Sequence, residues 1–65
     1  MNNLSARLKV NKWLLENGHE PIPIDELYTV FATRLRKIVA PKQVQVDFVS
    51  RPDACSYIRH IANKI

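Results

Sequence analysis

Four prolines and a single glycine divide this 65-residue chain into three stretches free to be helical and two that are not. Pro21 and Pro23 frame Ile22 and Ile24, and each proline pushes its predecessor to extended geometry. Pro41 discourages a helix from running past Val39, and Asn17-Gly18 is a good C-terminal helix stop. Pro52 is tolerated in the first turn of a helix that Ser50 caps, with Asp53 completing a box-like pattern.

These signals predict helices over about 4–17, 25–39 and 51–64, the second opened by Asp25 as its cap. In the first, Ser5, Lys9, Lys12 and Glu16 share one stripe, while Leu4, Ala6, Leu8, Val10, Trp13, Leu14 and Leu15 cover most of the rest. That apolar arc is wide for a surface helix and implies burial on two sides or a face kept for a partner. In the second, Leu27, Tyr28, Val30, Phe31, Leu35, Ile38 and Val39 form the apolar face, with Arg34 inside it. In the third, Ala54, Tyr57, Ile58, Ile61, Ala62 and Ile65 make one stripe.

Segment 43–49 alternates, with Val44, Val46 and Phe48 on one side and Gln43, Gln45 and Asp47 on the other, which favours a strand. Segment 21–24 suits an edge strand, because its prolines leave only the Ile22 and Ile24 edge able to pair. The expected class is therefore α+β, mainly helical, in the order α-β-α-β-α, with an all-α small bundle as the alternative. If the strands pair they run parallel, through a right-handed crossover.

So short a chain is one domain, residues 1–65, with a thin core. A lone cysteine, Cys55, excludes an internal disulfide, and Cys55, His19 and His60 lack the spacing of a zinc site. No metal or cofactor is expected. Stability must come from helix packing or from a second copy, and a free edge on 43–49 offers one route to a homodimer. No apolar run is long enough to span a membrane. The absence of a leader-like start and the single thiol point to the cytoplasm.

Catalytic constellations are missing. Cys55 and His60 diverge on a helix, Asp25 and Glu26 are adjacent and do not face each other, and Gly18 alone makes no phosphate loop. The chain is not expected to be an enzyme. Neither a helix-turn-helix, a ribbon-helix-helix nor a winged helix is matched by the order of elements and turns.

The charge is segregated. Residues 1–15 carry Arg7, Lys9 and Lys12 with no acid, and residues 16–26 carry Glu16, Glu20, Asp25 and Glu26 with no base. Residues 34–64 carry seven cations against Asp47 and Asp53, within a net charge of +4. Polarised charge makes a local field that the total understates. The first functional expectation is a small basic regulatory protein that contacts the phosphate backbone of DNA or RNA through Arg34, Arg36, Lys37, Lys42, Arg51 and Arg59. The competing structural explanation is that Arg36, Lys37 and Lys64 simply oppose helix dipoles. The second functional expectation is a protein-binding adaptor or inhibitor module. It would dock on a larger protein through Trp13, Val10 and Leu14 of the first helix, or through a free strand edge.

Overall fold

The computed structural model describes residues 2–65 and contains three helices: α1 (Asn3–Glu16), α2 (Tyr28–Val39) and α3 (Arg51–Lys64). No strand occurs among the described residues, so the expected α+β class with strands at 21–24 and 43–49 is replaced by a small all-helical bundle. α1 and α2 each lie against α3 and keep their own backbones apart. The third helix is thus the hub. Its inward face is built from Ala54, Cys55, Ile58, Ile61 and Ala62, all buried, and the two alanines let its neighbours approach closely. Ala6, Val10 and Leu14 fill in from α1, and Phe31, Ala32 and Leu35 from α2.

The ends of α1 follow from local chemistry. The Asn2 side chain accepts from the Ser5 N–H at 2.7 Å, satisfying one of the donors left over at a helix start. At the other end Gly18 takes φ +79°, a conformation that glycine adopts without steric cost. The His19 N–H then reaches the Leu14 carbonyl at 2.9 Å and the Gly18 N–H reaches that of Leu15, the paired bonds of a Schellman stop. The cap of α3 is Ser50, as the sequence predicts, with the Asp53 N–H 3.5 Å from its hydroxyl.

Side chains occupy the backbone groups that a sheet would have used. Beyond α1 the chain doubles back along that helix, and the Asn11 amide grips Ile22 on both sides. Asn11 Nδ2 donates to the Ile22 carbonyl at 2.8 Å, and the Ile22 N–H donates to Asn11 Oδ1 at 2.9 Å. Pro21 and Pro23 have no N–H to offer, so the pairable groups of Ile22 are already taken by Asn11, and its side chain is driven into the core. Segment 43–49 is likewise unpaired. Gln45 Nε2 folds onto the carbonyls of Ala40 and Gln43, the Val46 N–H turns back to Val44, and the Phe48 N–H donates to Thr33 Oγ1 at 3.0 Å. Of its alternating apolar residues only Phe48 is covered, lying 5.2 Å from the Tyr57 ring, while Val44 and Val46 are exposed.

The second helix starts at Tyr28 rather than at Asp25, and no side chain caps it. Arg7 explains the delay. Its guanidinium Nη1 donates to the carbonyls of Ile24 and Glu26, two acceptors that an earlier helix start would have turned along its own axis. The intervening turn is closed by the Glu26 N–H on the Pro23 carbonyl at 3.3 Å.

Candidate functional site

The six cations expected to form one phosphate-binding surface go to separate places. Arg59 donates to Asn3 Oδ1 at 2.7 Å, tying α3 to the start of α1. Arg36 lies over the Phe48 ring, 4.2 Å from its centroid, and holds down the chain between α2 and α3. Arg51 lies over the Tyr28 ring at 4.9 Å. Arg34, expected inside the apolar arc, is an exposed residue whose guanidinium stands 3.8 Å from a Glu26 carboxylate oxygen. Lys37 and Lys42 are exposed, the first on the outer face of α2 and the second beyond Pro41. Four of the six therefore contact other parts of the fold, on different elements.

The residues expected to face a protein partner are also redistributed. Val10 and Leu14 are fully buried and present no surface. Trp13 is half-buried against the core, and its ring stacks on His19 with centroids 6.5 Å apart. The apolar arc of α1 is nonetheless wider than the core can use. Leu4, Leu8 and Leu15 remain 51%, 53% and 60% exposed. At helical spacing these three fall within about 40° of one another and about 140° round the helix from the buried Ala6–Val10–Leu14 face. The stripe is about 16 Å long. Asn11, clamped to Ile22, forms one margin, and Ser5, Lys9 and Lys12 line the other. The signal was present in the sequence as two separate helical stripes, at 6/10/14 and at 4/8/15, that a single count of apolar residues merges.

Arg7 is the polar residue that sequence reasoning underrated. It is 8% exposed, and it shares a face with Val10 and Leu14 instead of lying with Lys9 and Lys12. Its guanidinium packs 4.3 Å from the Tyr28 ring centroid and 5.7 Å from that of Phe31. Nη1 is satisfied by two carbonyls, whereas Nε is buried without a hydrogen-bond partner, and among the described residues no carboxylate lies within ion-pair distance.

Other groups that could carry chemistry are dispersed. Cys55 is buried, and among the described residues no three His, Cys, Asp or Glu side chains gather as metal ligands would. Among the described residues, Tyr57 holds its proton more tightly than a free tyrosine does. Burial raises its hydroxyl above the ordinary tyrosine value of 10.0, and the nearby Arg36 charge partly opposes this. No helix among the described residues is long and apolar enough to cross a membrane. No family model matches the chain, and neither a curated protein nor a solved structure matches it.

Proposed function

We propose that this domain is a protein-binding module that docks on a larger protein through the Leu4–Leu8–Leu15 stripe of α1. The supporting observation is that three leucines, each about half exposed, line up on one helix about 140° round from its core face. A helix that needed only to cover α3 would carry polar residues there. Leucines in register at i, i+4 and i+11 are the pattern by which a helix seats itself against another helix or in a groove.

The charge around the stripe indicates what it meets. Lys9 and Lys12 flank it against the one acid Glu16, so the margin is net basic and the fitting partner is an apolar groove or amphipathic helix with a mainly acidic rim. A second copy fits less well, because it would bring the same lysines of two α1 helices together. Three leucines also fall well short of the roughly 800 Å² per partner of a standard interface, so contacts to neighbouring side chains must complete it.

Contact with nucleic acid through the segment 34–59 has thinner support, since Arg36 and Arg59 are engaged within the fold and Arg34 stands beside Glu26. The two readings separate in one experiment. Affinity capture from nuclease-treated cell extract is run with the wild-type chain, with a Leu8→Glu/Leu15→Glu variant, and with a Lys37→Ser/Lys42→Ser variant. Circular dichroism first establishes that each is helical. The expected result is a protein captured by the wild type and the lysine variant and lost with the leucine variant. Capture that the leucine variant keeps, or that nuclease abolishes, overturns the proposal.

A further inference from the structure

A second surface lies where the segment 24–29 and the start of α3 meet Arg7 of α1. Arg7, Ile24, Asp25, Leu27, Tyr28 and Arg51 are among the residues enclosing an open cleft of about 450 Å³. Two of its walls are helix beginnings: Tyr28 is the first residue of α2, and Arg51 is the first of α3. The start of α2 carries no side-chain cap, so the N–H groups of its first turn present partial positive charge that no capping side chain meets.

That helix start alone would not make a site. The second observation is Arg7. It is more than nine-tenths buried, and among the described residues its Nε has no hydrogen-bond partner and no carboxylate lies within ion-pair distance of its guanidinium. The guanidinium sits among the residues that line the cleft, bonded to the Ile24 and Glu26 carbonyls and stacked on Tyr28. A buried cation compensated only by carbonyl dipoles and an aromatic face is an incomplete arrangement, which an anion would complete. Arg51, exposed and over the same Tyr28 ring, supplies a second guanidinium.

We infer that this cleft binds a small oxyanion, a phosphomonoester or carboxylate head, with an apolar group attached. The head meets the uncapped first turn of α2 and Arg51, with the Arg7 charge behind. The apolar group lies on Ile24 and the largely exposed Leu27. Two acids also line the cleft. Glu26 is drawn toward Arg34, and Asp25, exposed, competes with an incoming anion for the same positive field.

The test is a titration of the 15N-labelled full chain in phosphate-free, low-salt buffer at pH 7, with phenyl phosphate as probe and inorganic phosphate as the head alone. The amide resonances of Tyr28, Thr29 and Val30 are followed. Both probes are expected to shift these amides saturably, phenyl phosphate at lower concentration. Arg51→Gln, a surface change that leaves the core intact, should weaken binding by about fivefold or more, and Asp25→Asn should tighten it. Absence of saturable shifts at these amides up to about 10 mM, or equal affinity in Arg51→Gln, overturns the anion site. Equal affinity for the two probes overturns the apolar subsite. A Leu8→Glu variant should bind both probes as the wild type does, which separates this site from the leucine stripe.

Discussion

Replacing Asn11 with alanine removes the clamp that stands where a strand was expected. Two hydrogen bonds are lost, of 2.8 and 2.9 Å, and the Ile22 N–H and carbonyl must find water or go unmet. At about 0.5–1.5 kcal/mol net for each bond, the direct loss is about 1–3 kcal/mol. The upper half of that range is expected, because both Ile22 groups are partly buried and the Ile22 side chain, almost wholly enclosed, is held in the core by the same clamp. For a domain of this size, about 2 kcal/mol lowers the melting temperature by roughly 10 °C. Thermal and urea unfolding followed by circular dichroism measure it. Asn11→Asp is the informative companion, because it keeps the acceptor for Ile22 N–H but turns an oxygen toward the Ile22 carbonyl in place of a donor. It should be at least as destabilising as alanine above the carboxylate's titration range. Midpoints for Asn11→Ala within about 0.5 kcal/mol of wild type would refute the reasoning, because surface substitutions without a structural role change stability by that much.

Three further outcomes follow from other contacts. Gly18→Ala should cost about 1 kcal/mol, since φ is +79° although nothing within 4 Å would obstruct the new methyl; equilibrium urea unfolding reads it. Phe48→Ala should cost about 2–3 kcal/mol, since the ring joins Arg36 to Tyr57 and carries the 43–49 connection; urea midpoints check it, and weaker protection of the Phe48 amide should accompany it. Tyr57 gives a pH dependence. Its hydroxyl holds its proton more tightly folded than unfolded, so its contribution is complete below about pH 10 and is lost as pH rises from there through the higher folded value. Tyr57→Phe should therefore unfold less steeply above pH 10 than wild type, in melting curves taken between pH 8 and 11.

What could be read from the sequence was local, and what could not was carried by side chains reaching across it. Ser50 caps a helix three residues before the N–H it accepts, and Gly18 ends one within its own turn, so both boundaries were legible. The α1 limits were predicted to within a residue. Asp25 has every local mark of a cap, but Arg7, earlier in the chain by about two and a half helical turns and a loop, captures the carbonyls of Ile24 and Glu26 and delays the helix to Tyr28. The alternation of 43–49 describes how a strand would place its side chains and contains no information on whether a partner strand is in reach. Here Thr33 and Gln45 take the backbone groups instead. The contacts that the cations make within the fold were illegible for the same reason. Arg36, Arg51 and Arg59 were counted as charge, whereas their planar groups serve as contacts to Phe48, Tyr28 and Asn3.

We propose that the surface this domain offers a partner is the leucine stripe of α1 and not its cations. A photo-reactive benzoylphenylalanine placed at Leu8, and separately at Lys42, tests it most directly when the two chains are irradiated in cell extract. The expected result is a protein adduct from position 8 that about 200 mM added salt does not remove, and none with nucleic acid from position 42; the Debye length of about 7 Å at that salt is short enough to screen exposed charges. A nucleic-acid adduct at position 42 with no protein adduct at position 8 would contradict it.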